Sequence, residues 1–378
     1  MTNIVVSTIG TSLLTNQINR SEPAEKHWYP KLRDSANLSW EDTEEITQTI
    51  INTLRDRALE SLRELSVAEI RRTSAELNGL YGLYGEDLNQ GRLDTHYLLA
   101  TDTAQGRITA DIVAEFLRVK GLNQAIVYVP TNLSTASTTA FTEGIDELLD
   151  WLETTIKPKR NSCDICFNLV GGFKSLQGYL NTLGMFYADK IIYIFEGKEA
   201  NLITIPRLPV RVDDALLAPY RVPLALMDAG LGLSASEVEG IPEAMLGEMD
   251  GKKVLSTWGQ LIWSQARDSL LTQELLPFPH LIYKDDTFPK DYKNQKDSNE
   301  KLVLQSVLAK LSAALIPTQG APLNLPSSFK YSPYQGSDGI YHFYVNKKEW
   351  RVSCRPVTGG LELRYYGTHD YVQRKEGV

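Results

Sequence analysis

Residues 163–175 read Cys-Asp-Ile-Cys-Phe-Asn-Leu-Val-Gly-Gly-Phe-Lys-Ser, an apolar run that stops at two glycines and passes into a helical pattern. A run of this length without polar alternation fits a strand covered on both faces, as in a parallel sheet. The glycines allow the chain to turn sharply into the helix behind it. The same unit recurs upstream and downstream. Strand-like runs lie at Asn3–Thr8, His96–Thr101, Ala125–Val129, Cys163–Val170 and Lys190–Phe195. Helical periods lie between them at 41–77, 110–119, 139–154 and 173–185. Strands alternating with helices predict an α/β fold, a Rossmann-like doubly wound domain with a parallel sheet over residues 1–206.

Ligands of such sheets bind beyond the carboxyl ends of the strands, where three small polar loops stand. The first contains Gly10, Thr11, Ser12, Leu13 and Asn16, the second Thr101, Asp102 and Thr103, and the third Gly171, Gly172, Phe173, Lys174 and Ser175. Backbone amides, hydroxyls and the Lys174 amine are groups that hold a phosphate. Neither glycine loop closes with the Gly-Lys-Ser/Thr of a P-loop, and Gly230-Leu231-Gly232 follows no strand, so nucleoside triphosphate and dinucleotide readings are weak.

With 378 residues the chain exceeds what one core usually supports, and its pattern changes twice. Residues 207–279 carry scattered prolines and glycines and no clear strands, which predicts a helical connector. Residues 280–378 show one helix, Asn299–Leu315, and three strands at Ile340–Val345, Glu349–Arg355 and Leu361–Tyr366, an α+β module. Thr358-Gly359-Gly360 is its hairpin turn. The net charge of −8 conceals an asymmetry, because residues 280–378 carry +4 and the remainder −12. The total argues against bulk attraction to nucleic acid, and the tail is a mildly basic module on an acidic body. No signal peptide or membrane-spanning run stands out, which predicts a cytoplasmic protein. Three cysteines give no metal site, so Cys163 and Cys166 read as structural thiols and no metal or cofactor is expected.

Strand alternation sorts the tail's side chains onto two faces. Tyr341, Phe343, Val345, Trp350, Val352, Cys354, Leu361, Leu363 and Tyr365 form the predicted apolar face. His342, Tyr344, Arg351, Ser353, Arg355, Glu362, Arg364 and Tyr366 form an opposite face rich in arginine and tyrosine, suited to RNA phosphates and unstacked bases. Cleavage by attack of a ribose 2′-OH needs a base, cations and an acid. Arg351 is the candidate phosphate clamp, with Arg355 and Arg364 assisting. His369 and Tyr371 are candidate acid and base in either order, and His342 is an alternative to both.

Two resemblances join these readings. Ile9-Gly10-Thr11-Ser12-Leu13-Leu14 and Val170-Gly171-Gly172-Phe173-Lys174-Ser175, with Thr101-Asp102-Thr103 between, resemble the CRISPR-associated Rossmann fold (CARF) domain over residues 1–206. That resemblance implies a homodimeric sensor of cyclic oligoadenylate, with cyclic tetra-adenylate the expected activator. Residues 288–293, 341–345 and 349–352 with His369-Asp370-Tyr371 resemble the RelE/HigB toxin fold over 280–378. It implies metal-independent cutting of mRNA on the ribosome. Arg364 and His369 also match the spacing of the HEPN ribonucleases, but a strand-borne arginine does not suit that helical bundle. The combined expectation is an endoribonuclease of type III CRISPR defence, switched by cyclic oligoadenylate. Alternatives are a ring nuclease that degrades its own ligand, and a non-catalytic RNA-binding regulator. Residues 207–276 are expected to contact the ribosome or to transmit the ligand state.

Overall fold

The computed structural model describes residues 2–195, 201–334, 336, 339–346 and 350–377, and divides into two units, Met1–Val210 and Arg211–Val378. In the first unit, six strands form one sheet in the order β3-β2-β1-β4-β5-β6. They are β1 (Thr2–Thr8), β2 (Thr95–Leu99), β3 (Ala125–Tyr128), β4 (Cys163–Asn168), β5 (Lys190–Ile194) and β6 (Leu202–Pro206). The first five are mutually parallel and β6 pairs antiparallel with β5. Ile4, Val5 and Val6 of β1 and Ile165, Cys166 and Phe167 of β4 are fully buried, as continuous apolar runs require. The chain leaves β1 for β2 on one side and later enters β4 on the other. The crevice at their carboxyl ends is therefore the topological switch point of the sheet.

The segment 41–77, whose period reads as one helix, is broken into α3 (Glu45–Glu64), α4 (Val67–Thr73) and the start of α5 (Ala75–Leu83), which follow the short α1 (Ser12–Thr15) and α2 (Trp28–Asp34). Two serines cause the breaks. Ser66 and Glu69 form a reciprocal capping box, and the Ser74 hydroxyl accepts from the Leu77 amide at 3.2 Å. The remaining helices of this unit are α6 (Ala104–Val119), α7 (Thr138–Trp151) and α8 (Lys174–Tyr187).

In the second unit, α9 (Asp214–Leu217), α10 (Arg221–Asp228) and α11 (Thr257–Thr272) come from the segment read as a connector. That segment also holds the hairpin β7 (Leu246–Met249) and β8 (Lys252–Leu255), which sequence reading missed. Its turn is Asp250-Gly251, both with positive φ, as a two-residue hairpin requires. Leu224, Met227, Trp263 and Leu270 share one continuous core with Leu304, Leu308, Phe343 and Leu363, so from Arg211 onward the connector is part of the folded body of the tail.

That tail is built on a five-stranded sheet in the order β10-β11-β12-β13-β9. Its strands are β9 (Leu281–Tyr283), β10 (Ser332–Pro333), β11 (Tyr341–Tyr344), β12 (Arg351–Val357) and β13 (Gly360–Gly367), antiparallel except for β9 against β13. The helices are α12 (Phe288–Asn294), α13 (Ser298–Leu315) and α14 (His369–Glu376). Glu349, read as the start of a strand, lies outside the described residues. Among the described residues one helical stretch, Ser298–Thr318, is long and apolar enough to cross a membrane. Its Leu304, Leu308, Leu311 and Leu315 are buried in the core of this unit.

The register of β13 departs from simple alternation. Leu363 pairs with Cys354, but Tyr365 pairs with Ser353, so Arg364 is the extra residue of a bulge. Beyond it the faces exchange. Tyr366 enters the core at 2% exposure, opposite Val352, whereas Tyr365, expected in the core, moves to the other face.

Candidate functional site

At the switch point of the first unit lies a cleft of about 400 Å³, floored by the turns after β1 and β4. Gly10, Thr11 and Ser12 line one side; Gly171, Gly172 and Phe173 line the other. Gly172 has φ +97°, and a Cβ there would stand 2.9 Å from that of Thr8. Glycine is thus required both by the turn and by the close approach of β1. The Thr8 hydroxyl donates to the Gly171 carbonyl and ties the two turns together.

The other residues expected at this site divide into three groups. Leu13 is fully buried in the core, because α1 turns its apolar side inward. Asn16 does not line the cleft, and its amide donates to the Thr73 carbonyl at 3.0 Å. Thr101 and Thr103 are buried and bonded to one another, Thr103 also capping α6. Asp102 is occupied by Arg107 at 2.7 Å and by the Asn132 amide. The second loop instead reaches the cleft through Gln105, whose amide donates to the Leu32 carbonyl of α2 at 2.7 Å. Lys174 and Ser175 are exposed in the first turn of α8, beside the cleft residue Phe173.

Sequence reading missed the wall supplied by α2. Tyr29, half exposed, and Arg33, bonded to its neighbour Asp34 at the surface, both face the cleft. Together they bring an aromatic ring and a guanidinium to the glycine turns, groups able to stack on a planar ring and to pair with an anion.

In the second unit the residues of the predicted basic face are unevenly available: His342, Arg351, Ser353 and Tyr366 are buried, and Arg355 is exposed. The C-terminal helix α14 lies against β12 and β13, and its Glu376 reaches into the sheet. Arg364 Nε donates to Glu376 Oε1 at 2.9 Å, and the Ser353 hydroxyl donates to the same oxygen at 2.6 Å. Glu362 stands 3.5 Å from Arg364 and 2.9 Å from Arg355. Arg364, placed in the bulge beneath α14, is thus held between two carboxylates of the fold. Arg355 remains half exposed but is already paired.

Arg351 differs from both. It is 9% exposed and has no carboxylate partner among the described residues. Its Nη2 donates to the Tyr344 hydroxyl at 2.6 Å, and its guanidinium carbon stands 4.3 Å from the centre of the Tyr344 ring. Lys330 approaches the same ring at 4.8 Å, so two cations share one tyrosine. Lys330 sits at the left-handed end of a helical turn, φ +48°, a position that sequence spacing did not assign.

Beside Arg351, His342 is 8% exposed, its ring 4.3 Å from that of Tyr334. Burial first, then the charges of Arg351 and His369, push its imidazole down to about 4. It is neutral at neutral pH, and its Nδ1 has no hydrogen-bond partner among the described residues. His369 opens α14 with Nδ1 3.2 Å from Asp370. Tyr371 lines a separate cleft of about 330 Å³ with Asp291 and Trp350. Its hydroxyl donates to Asp291 at 2.6 Å, and burial together with that bond raises the phenol further above the physiological range.

Residues 71–208 match the family model described as CRISPR-associated protein (Cas_APE2256). Solved structures from E. coli are similar over about a quarter of the chain. A chain of the DinJ-YafQ toxin-antitoxin complex is 25% identical, with 25% of this chain and 98% of that chain covered and a TM-score of 0.18. YafQ from strain BL21(DE3) is 24% identical, with 24% and 94% covered and a TM-score of 0.18. A YafQ variant is 26% identical, with 24% and 94% covered and a TM-score of 0.19.

Proposed function

We propose that this chain is a ribosome-dependent mRNA endoribonuclease of type III CRISPR defence, activated by a cyclic oligoadenylate at the switch-point cleft of its first unit. The family match over residues 71–208 supports the CRISPR association, and the cleft supplies the phosphate-compatible turns. A cyclic phosphodiester has no terminal phosphate that needs a P-loop. Tyr29 and Arg33 suit an adenine ring and its neighbouring phosphate. Cyclic tetra-adenylate is the ring we favour, held across a homodimer of this chain.

The observation that carries the nuclease reading is the buried Arg351, without a carboxylate partner among the described residues, beside a neutral His342. A histidine that stays neutral at pH 7 accepts a proton and cannot serve as an imidazolium donor. His342 is then the base for the ribose 2′-OH. The 2′-oxygen forms its bond to phosphorus as the bond to the 5′-oxygen breaks. Arg351 and Lys330 offset the charge that builds on the phosphoryl oxygens. His369 protonates the leaving 5′-oxygen, and the products carry a 2′,3′-cyclic phosphate and a 5′-hydroxyl. Tyr371, its proton held by Asp291, lines the neighbouring cleft and is assigned no proton transfer.

Translating ribosomes incubated with the protein, with and without cyclic tetra-adenylate, test this reading. Ligand-dependent mRNA cuts that vanish in Arg351→Ala support it. Ligand breakdown without any mRNA cleavage replaces it with a ring nuclease, and binding without either reaction replaces it with a regulator.

A further inference from the structure

Of the buried acids that the mechanism does not use, one lies at the first cleft. Glu76, the second residue of α5, is fully buried, yet it stands directly behind the glycine turns of the first cleft. The Gly10 amide donates to its Oε1 at 2.6 Å. The Ser74 hydroxyl, which also caps α5, donates to its Oε2 at 2.8 Å. A Cβ on Gly171 would fall 2.1 Å from Oε1, so the carboxyl group fills the space which that glycine leaves. The preceding residue, Ala75, lines the cleft itself. Asn168 of β4 fixes the helix from below by donating to the Glu76 carbonyl at 3.0 Å.

The groups facing the carboxyl are an amide, a hydroxyl and glycine backbone; neither hydrogen-bond donor carries a charge. The cations of the neighbourhood, Arg33 on α2 and Lys174 on α8, are both exposed. Among the described residues no cation is bonded to this carboxyl to offset its desolvation, and burial accordingly raises its protonation range. An anion entering on the other side of the same turns adds a like charge and favours the neutral acid further. The two turns the acid holds are the ones that would contact the anion.

We propose that Glu76 is a positioning residue of the cleft, which holds the Gly10 and Gly171 turns in place and takes up a proton from solvent when a phosphodiester binds between them. This inference rests on the ligand reading given above. It makes the affinity for an anionic ligand fall as pH rises, by up to about tenfold per pH unit once the free protein has lost the proton.

The test is calorimetry with cyclic tetra-adenylate from pH 5.5 to 9.5, in buffers of different ionisation enthalpy (the pH limits are roughly one to five units above the ordinary Glu value). The expected result is net proton uptake in one pH window for the wild type, and none in Glu76→Gln, which keeps the shape and binds with a pH-independent affinity. Glu76→Ala, which loses the support of both turns, should bind more weakly at every pH. Uptake that persists unchanged in Glu76→Gln overturns the proposal. Should that variant not fold, infrared spectra of the wild type carry the decision: the protonation midpoint of a buried carboxyl must move up on ligand addition, and an unmoved midpoint overturns it. No binding of cyclic tetra-adenylate by the wild type removes the ligand reading instead, a separate result from binding without proton uptake.

Discussion

Arg351 and Tyr344 face each other across the paired strands β12 and β11, joined both by a hydrogen bond of 2.6 Å and by a ring contact of 4.3 Å. The tyrosine orients the guanidinium through its hydroxyl and shelters it with its ring. Tyr344→Phe separates these effects, since it keeps the ring. Single-turnover cleavage of ribosome-bound mRNA should slow about tenfold in Tyr344→Phe and about 10²–10³-fold in Arg351→Ala, the usual cost of one lost transition-state donor. Equal rates in wild type and Arg351→Ala would exclude Arg351 from the chemistry.

His342 predicts a pH dependence of stability. Its folded value of about 4 lies below the ordinary 6.5, so the unfolded chain binds the proton more readily. The contribution is fully present above pH 6.5 and is lost as pH falls through about 4. Denaturant melts between these limits should show a steeper acid loss in wild type than in His342→Asn; parallel curves would contradict the burial described here.

Glu376 joins α14 to the sheet with its side chain 2% exposed. Glu376→Ala leaves the Arg364 cation and the Ser353 hydroxyl without that acceptor, while Glu362 remains 3.5 Å from Arg364. The expected loss is roughly 3 kcal/mol, at the lower end for a broken buried ion pair. Urea unfolding would measure it, and a change below about 0.5 kcal/mol, the range of ordinary surface substitutions, would mean that the clasp is dispensable.

Gly172→Ala places a side chain at φ +97° and against Thr8. It should destabilise the protein by about 1–3 kcal/mol and abolish ligand binding at the cleft. Arg33→Ala and Tyr29→Ala, at exposed positions of α2, should weaken cyclic tetra-adenylate binding at least about tenfold with unfolding changed by less than about 0.5 kcal/mol. Titration by fluorescence anisotropy distinguishes the two effects.

The parallel sheet was legible because its strands are buried on both sides and therefore carry uninterrupted apolar runs, such as Ile165-Cys166-Phe167. The glycine turns after β1 and β4 were legible for the same local reason. The breaks at Ser66 and Ser74 were harder to see, since the apolar period continues across them; their caps were the available signal. Asp250-Gly251 was a stronger signal, a hairpin turn between two short runs, and would have marked β7 and β8. The bulge at Arg364 has no local signature, and through it the assignments of Tyr365 and Tyr366 exchange. Glu376 meets Arg364 only through the tertiary placement of α14, and Tyr29 and Arg33 reach the cleft only because α2 packs beside it.

The unequal pairing of the three arginines has a consequence for counterions. Arg355 and Arg364 are offset by Glu362 and Glu376 within the fold, so they have little ion atmosphere to exchange with a polyanion. Arg351 and Lys330 retain that capacity. A surface that carries three arginines on its sheet and Lys330 beside them would then release the ions of only about two phosphates, and its engagement of RNA should weaken with a log–log salt slope near −1.4 on a single strand.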